Sequence, residues 1–115
     1  IPGAEERGIV AYDVLVNQCN MSAVDFMKLV SENPAKLYGM YPKKGTLAVG
    51  SDGDITIVDK RIEHVLSKAS AHTKADYIPY EGISVTGKVR DVILRGHHVV
   101  QDGSLTESYL GECIP

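Results

Sequence analysis

The sequence predicts an α+β fold, with helices in the first part of the chain and a small, mostly antiparallel sheet in the second. Residues 1–40 are helical in character, whereas residues 45–105 alternate in the manner of strands. A chain of 115 residues suits one domain with its own core rather than two ordinary domains. We therefore expect helices first and strands second, with a change of hydrophobic period between them.

Two helical segments are predicted before residue 31. The first, RGIVAYDVLVNQC, contains β-branched residues that favour a strand, yet its length and the helical stacking of its side chains favour a helix. The second begins at Ser22, which suits the N-cap, with Asp25 three residues later in a capping-box-like position. Its apolar stripe must pack against another surface, and it consists of Ala23, Phe26, Met27 and Val30.

A further short helix is predicted in ENPAKLYG, after a corner between two separate helices. Asn33 suits its N-cap, Pro34 suits its first turn, and Gly39 suits a left-handed closing residue. After YPKKG the hydrophobic period falls from 3.6 to 2, and this change predicts the start of the strands.

The clearest strand is predicted in DITIVD, where Ile55 and Ile57 lie on one face while Thr56 and Val58 lie on the other. Weaker candidates are His64–Ser67, Ile83–Thr86, RDVILRG and HHVVQDG. The stretch Arg95-Gly96-His97 separates the last two and indicates a tight hairpin.

The composition indicates a soluble, globular protein, with 43% hydrophobic and 23% charged residues and a net charge of −3. No stretch approaches the roughly 20 apolar residues of a membrane span, and the first residues show no secretory signal. The scattered basic residues argue against nucleic-acid binding. Cys19 and Cys113 are interpreted as reduced thiols of a cytoplasmic protein, with a disulfide between them as the less favoured alternative.

Residue patterns alone predict no self-contained active site and no metal site. GSDGD lacks the spacing of a calcium loop and predicts a solvated turn. His97 and His98 are adjacent, so on a strand they point to opposite faces and cannot share a metal ion. Glu5 and Glu6 precede Arg7, and a salt bridge within this loop explains them as well as an acid–base role does.

Five blocks follow one another along the chain: IPGAEER, FMKLVSENPAKLYGMYPKKGTLAVGSDGDITIVD, AHTKADYIPYEG, VTGKVRDVILRG and VVQDG. Together they resemble the C-terminal part of the hydantoinase and dihydropyrimidinase branch of the amidohydrolases. DYIPYEG, within the third block, favours this branch over allantoinases and dihydroorotases, which remain alternatives.

The resemblance implies that residues 1–43 are terminal helices of a (β/α)₈ barrel and that residues 44–115 belong to a small β-sandwich domain with a tail. The sandwich would be completed by N-terminal strands of a longer protein. The switch from helical to strand period near Tyr41–Gly45 is then expected to be a domain boundary.

The resemblance also implies a metal-dependent hydrolase that opens the ring amide of hydantoins or dihydropyrimidines with a metal-bridging hydroxide. Two divalent ions, usually zinc, would be held by an HxH pair, a carboxylated lysine, two further histidines and an aspartate, and none of these residues matches this chain. We therefore expect no catalytic residue, metal ligand or cofactor here. Ile1, Pro2, Gly3 and Glu5 are expected only to border the substrate loop.

The expected partners are the remainder of the same polypeptide, further copies in a homo-oligomer such as a homotetramer, and a cyclic amide substrate. A second hypothesis is a non-catalytic scaffold of the same fold, like the collapsin response mediator proteins, which would act through oligomer surfaces. The isolated chain is expected to be inactive in either case.

Overall fold

The computed structural model describes residues 1–106 and 110–114, and it contains both helices and a sheet as the sequence predicts. The helical elements among these residues are α-helices and wider π-helical segments, followed by a short 3₁₀ turn at Lys68–Ser70. They are α1 (Arg7–Tyr12), π1 (Asp13–Gln18), α2 (Ala23–Met27), π2 (Lys28–Glu32) and α3 (Asn33–Leu37).

The ambiguous segment after residue 6 is helical, which confirms the predicted helix over the alternative strand. Its second half, π1, is wound more widely than an α-helix, and the N–H of Cys19 donates to the carbonyl of Val14 five residues back at 2.9 Å. π-Helical segments are short and uncommon, and they often mark a position where a side chain has a particular contact to make.

Ser22 is the N-cap of α2, as predicted, and its Oγ accepts a hydrogen bond from the N–H of Asp25 at 3.1 Å. The predicted corner at Asn33 and Pro34 is wrong, because no non-helical residue separates α2, π2 and α3. Asn33 therefore lies inside a helix and is not its N-cap. Proline has no N–H to donate and its ring crowds the preceding turn, so the wider winding of π2 accommodates Pro34 without ending the helix.

The end of α3 follows the prediction closely. Gly39 has φ +70°, in the left-handed region that glycine adopts without strain. Its N–H donates to the carbonyl of Lys36 at 3.2 Å, and the N–H of Met40 donates to the carbonyl of Ala35 at 2.8 Å. This pair of hydrogen bonds is a Schellman motif, which satisfies two of the carbonyls left open at a helix C-terminus.

Four strands form one sheet in the order β1-β2-β3-β4 within the described residues. The pairs β2–β3 and β3–β4 are antiparallel. The register shifts by one residue between Val92 and Ile93, where β3 carries a bulge. The strands are β1 (Ile55–Val65), β2 (Ser84–Leu94), β3 (His97–Gln101) and β4 (Ser104–Leu105).

The predicted alternation in β1 is confirmed, since Ile55 and Ile57 are half-buried while Thr56 and Val58 are exposed. The weaker strand predictions were placed correctly but divided wrongly. His64 and Val65 form the end of β1, whereas Leu66 and Ser67 lie outside it, and the two candidates on either side of Gly87 lie largely within β2. Gly87 is therefore inside a strand, a position that is less favourable for glycine than for other residues.

The predicted hairpin between β2 and β3 is confirmed, with Arg95 at φ +46° and Gly96 at φ +81°. Two successive positive φ angles are typical of a type I′ turn, whose twist matches that of the strands it joins. A second two-residue turn of the same kind joins β3 to β4, with Asp102 at φ +49° and Gly103 at φ +78°.

The chain divides into two compact units, each built from two separate segments. Unit 1 comprises Ile1–Val30 and Asp59–Lys88, and unit 2 comprises Ser31–Val58 and the chain from Val89 onward. The predicted division into residues 1–43 and 44–115 concerns domains of a longer protein, and it stays a prediction.

The apolar core of the described residues lies in unit 1. It consists of Ile9 from α1, Leu66 and Ile78 from the connection after β1, and Val85 from β2. Gly87 allows α1 to approach β2 closely, because a Cβ at this position would lie 3.1 Å from the Tyr12 ring and 3.2 Å from Ile9. Phe26 packs edge-on against Tyr12, with ring centroids 5.4 Å apart.

The rest of the predicted apolar stripe on α2 and π2 is only partly covered by the described residues, and Met27 and Val30 are each 47% exposed. None of the helices in the described part of the chain is long and apolar enough to cross a bilayer. Cys19 and Cys113 are both free and exposed, so the alternative of a disulfide is not realised.

Candidate functional site

The four residues that the sequence singles out, Ile1, Pro2, Gly3 and Glu5, lie together on the wall of one cavity in unit 1. The cavity has a volume of about 350 Å³ and is lined by residues 1–6 together with His72 and Thr73. Its wall therefore combines the first segment of the chain with the middle of the connection between β1 and β2.

Both carboxylate oxygens of Glu5 accept hydrogen bonds from His72. The backbone N–H of His72 donates to Oε2 at 2.8 Å, and the ring Nδ1 lies 2.7 Å from Oε1. Because a carboxylate only accepts, Nδ1 is the donor and carries a hydrogen. Both side chains are 43% exposed, so water competes with this contact. We call this pair of hydrogen bonds the Glu5–His72 clasp.

Gly3 provides a second attachment of the same segment. Its φ is +150°, and a Cβ at this position would lie 3.2 Å from the ring of Tyr80 and 3.7 Å from Pro79. Its carbonyl accepts from the N–H of Arg7, the first residue of α1, at 3.0 Å. A side chain here would be strained by the backbone and crowded by the tyrosine, so the close contact depends on glycine.

Glu6 is 4% exposed, and neither of its carboxylate oxygens has a hydrogen-bond partner among the described residues. The predicted salt bridge within the loop is therefore not what holds the two glutamates. Glu5 pairs with a residue 67 positions away, and Glu6 is buried without a pair. Burial of an unpaired carboxylate opposes folding, so Glu6 does not stabilise this segment electrostatically.

Asp13, at the start of π1, connects the helical part of unit 1 to β2. Its Oδ1 accepts from Asn17 Nδ2 at 2.8 Å and from the N–H of Thr86 at 3.0 Å, while Oδ2 accepts from Gln18 Nε2 at 3.0 Å. The hydrogen bond from Asn17, followed by that from Thr86, holds the pKa of Asp13 below its ordinary value. Asn17 also donates to the Thr86 carbonyl at 2.8 Å. This network is structural, because all its donors are neutral groups of the chain.

Unit 2 contains a different charged cluster, built on the GSDGD turn. Lys44 Nζ lies 2.8 Å from Asp52 Oδ2 and also forms an ion pair with Asp54. Its contacts with Asp52 and then Asp54 raise the pKa of Lys44. Burial pushes the pKa of Asp54 up, but the hydrogen bonds from Lys44 and from the Arg95 N–H outweigh it and lower that pKa overall. The predicted turn is present, but its carboxylates are bound by the chain rather than solvated.

Asp91, 6% exposed, supports the second hairpin of unit 2. Arg90 Nε donates to its Oδ2 at 2.5 Å, and the N–H of Asp102 donates to Oδ1 at 3.3 Å. The bond from Arg90 is the main reason why the pKa of Asp91 lies below its ordinary value. His98 Nε2 is 3.8 Å from Oδ1, so this histidine lies beside a carboxylate that already has two donors.

No group of three or more histidine, cysteine, aspartate or glutamate side chains within the described ranges is arranged to hold a metal ion. His64 bonds through Nε2 to the Gly87 carbonyl at 3.0 Å, and His72 bonds to Glu5. Sequence reasoning missed the roles of Asp13 and Lys44. The sequence signal for Lys44 is the stretch Asp52-Gly53-Asp54, which follows the Lys43-Lys44 pair closely and places two carboxylates within reach of a cation.

Comparisons with known proteins agree on one family. The sequence profile of the amidohydrolase family matches residues 4–99. A D-hydantoinase of Ralstonia pickettii is 44% identical over 111 residues, which cover 96% of this chain and 23% of that protein. A solved D-hydantoinase structure superposes with a TM-score of 0.86 at 44% identity, covering 90% of this chain and 22% of that one. A dihydropyrimidinase from Brevibacillus agri gives a TM-score of 0.85 at 38% identity, covering 88% and 22%.

The matched relatives are thus more than four times as long as the matched region, and this chain spans 23% of the Ralstonia protein. The match nevertheless runs over almost the whole of the chain, in sequence and in fold. The chain belongs to the amidohydrolase family.

Proposed function

We propose that this chain is the C-terminal portion of a metal-dependent cyclic amidohydrolase that hydrolyses the ring amide of hydantoins or dihydropyrimidines. The observation that supports this most strongly is the 44% identity to a D-hydantoinase over 96% of the chain. Relatives that act on the same class of cyclic amide also share the fold at TM-scores of 0.85–0.86.

Amidohydrolases are generally metal-dependent, and the donor groups of this chain do not fit such a centre. The described residues hold no suitable group of ligands. The two histidines of unit 1, His64 and His72, already have hydrogen-bond partners. In our proposal two divalent ions, zinc in the simplest case, are held by residues outside positions 1–115. The catalytic groups lie there as well.

The contribution of this chain is then to bind and orient. Residues 1–6 form a cavity wall and are attached to the connection between β1 and β2 through Gly3 and Glu5. In the complete enzyme we assign this wall to the border of the substrate loop. The exposed apolar side chains of Val24, Met27 and Val30 would pack on the barrel, of which α2 and π2 are terminal helices.

Ring opening by the complete protein tests the proposal. We expect turnover of hydantoin and dihydrouracil that is lost after treatment with a strong chelator and restored by added zinc. The isolated chain of residues 1–115 should give neither turnover nor stoichiometric zinc after dialysis, which elemental analysis checks. A complete protein that is folded, metal-loaded and inactive on both substrates would contradict the proposal and favour the scaffold hypothesis.

We include homo-oligomerisation in the same proposal, because strand edges and exposed apolar surface favour association. We also propose the cytoplasm as the compartment of the protein. Sedimentation of the complete protein measures the assembly. A clean monomer at tens of micromolar would remove this part of the proposal without affecting the enzymatic part.

A further inference from the structure

We infer that the Glu5–His72 clasp is a positioning device, which fixes residues 1–6 so that the substrate loop adjoining them is held in its binding geometry. The inference rests on the proposed function and goes beyond it. It assigns a role in substrate binding to two residues that are neither metal ligands nor catalytic groups.

The first step is the range of the contacts. Glu5 reaches a residue 67 positions later in the chain, and Gly3 lies against Tyr80 and Pro79 of the same connection. Residues 1–6 are therefore attached at two points to residues 72–80, and their carbonyls also accept local bonds from the N–H groups of Arg7 and Val10. The placement of this segment depends on residues that are remote in sequence.

The second step is the form of the clasp. One carboxylate receives a backbone donor and a ring donor from the same residue, which fixes both the plane of the Glu5 carboxylate and the rotamer of the imidazole. A backbone donor is held by the fold, so the clasp sets the position of Glu5 relative to the connection and not only to a mobile side chain. The two bonds at 2.8 Å and 2.7 Å are short enough to be directional.

The third step links the clasp to the cavity. Glu5 and His72 both line the cavity, on opposite chain segments. Glu6 next to it is buried, and its carboxylate has no hydrogen-bond partner among the described residues, so it adds no polar side-chain attachment to this connection. Misplacement by about 1 Å of a segment beside the substrate is enough to weaken binding or catalysis substantially. The clasp is thus the polar contact that ties this wall to the connection between β1 and β2.

The test is a graded series in the complete protein, in which each variant removes a known number of hydrogen bonds. Glu5→Ala removes both bonds, and Glu5→Gln keeps one carbonyl oxygen as acceptor. His72→Ala removes the ring bond only. His72→Asn restores a donor, since its amide nitrogen occupies nearly the place of Nδ1. Glu63→Ala is the matched control. It removes one exposed hydrogen bond in the same unit, which Ser84 Oγ donates to Glu63 Oε1 at 3.3 Å.

We expect KM to rise about threefold in His72→Ala and about tenfold in Glu5→Ala, with kcat changed by less than about twofold. His72→Asn and Glu63→Ala should keep the KM of the unmodified protein. Metal content should be constant throughout. Amide hydrogen exchange at residues 3–7 should be faster in Glu5→Ala and His72→Ala, which reports the loosened segment without reference to turnover.

An unchanged KM in a folded, active Glu5→Ala protein would overturn the inference. So would a His72→Asn protein that is as impaired as His72→Ala, because the donor at Nδ1 would then be irrelevant. If Glu5→Ala does not fold, the two His72 variants and Glu5→Gln decide the matter. Failure of the unmodified protein to open either ring is a separate result, which refutes the proposed function and this positioning role together.

Discussion

The two units of the chain are each stabilised by different interactions. Unit 1 encloses an apolar cluster of Ile9, Leu66, Ile78 and Val85. The buried carboxylate of Asp13, also in unit 1, accepts hydrogen bonds from neutral donors. Unit 2 lacks a comparable cluster among the described residues, and Ala35 is its one buried apolar side chain there. It is organised by two type I′ turns and by charged groups around Lys44 and Asp91.

This difference predicts which perturbations should lower the stability of each unit. Burial of apolar surface is insensitive to salt and to moderate pH, whereas ion pairs weaken with ionic strength and with titration of either partner. Substitutions in the core should therefore act on unit 1, and alkaline pH or added salt should act mainly on unit 2. Native-state hydrogen exchange resolves the two, because it reports local free energies of opening.

The largest effect is expected from Ile9→Ala in the core of unit 1. Ile9 is 7% exposed, and the substitution leaves a cavity against Val85. We expect a loss of about 2–4 kcal/mol in the free energy of opening, measured at the amides of β2 residues 84–88. Val14→Ala on π1 is the control, since Val14 is 40% exposed and should cost less than about 1 kcal/mol. Equal losses in the two variants would contradict an apolar core at Ile9.

A smaller effect is expected from Gly87→Ala, in comparison with Gly39→Ala. Both glycines have positive φ, +121° and +70°, so both substitutions strain the backbone. Only Gly87 is also crowded, by Tyr12 and Ile9, while nothing lies within 4 Å of a Cβ at Gly39. We expect a loss of about 2–3 kcal/mol for Gly87→Ala and about 1 kcal/mol for Gly39→Ala, by hydrogen exchange. A reversed order would show that helix α1 does not pack closely on β2.

The smallest effect, and the one that separates the units most cleanly, is expected from Lys44→Met. The Lys44 side chain is 15% exposed, and its removal leaves Asp52 and Asp54 without their cation, at a cost of about 1–2 kcal/mol in unit 2. The stability contributed by the raised pKa of Lys44 is present below about pH 10.4 and is lost as the pH rises through its folded value.

The control for this prediction is Asp13. The pKa values of Asp13 and Asp54 are both lowered, so both units lose stability as the pH falls below about 3.9. Alkaline pH and 1 M NaCl should instead weaken unit 2 more than unit 1, whose ion pairs Glu5–His72 and Asp59–Arg61 are more exposed, and Lys44→Met should abolish most of the difference. Salt that destabilises the Asp13 network equally would contradict the neutral character of its donors.

Local signals explain what the sequence could predict. The Ser22 cap, the Gly39 closure, the Arg95-Gly96 hairpin and the alternation of Ile55 and Ile57 each depend on residues within about five positions of one another. The error at Asn33 arose because an Asn-Pro pair usually marks the start of a separate helix, whereas here a π-helical segment leads into α3 without a break. Pro34 itself lies in the first turn of α3, as predicted.

The candidate site could be predicted only in part, because its contacts are remote in sequence. The resemblance selected Ile1, Pro2, Gly3 and Glu5, and the structure brings these four residues to one cavity. Nothing near Glu5 in the sequence names His72 as its partner, and nothing near Asp13 names Thr86, 73 positions away. Such pairs form only when remote segments of the chain pack on one another, which no local period encodes.

The wide winding of π1 has a consequence for the comparison of sequences within the family. Asn17 and Gln18, four and five positions after Asp13, both reach its carboxylate because the turn is wider than that of an α-helix. Removal of one residue from this turn would restore ordinary α-helical winding, because a π-helical turn contains about one residue more than an α-helical turn. A single-residue gap in an alignment at positions 14–16 would therefore record a change from π-helical to α-helical winding in this helix, rather than a shorter loop.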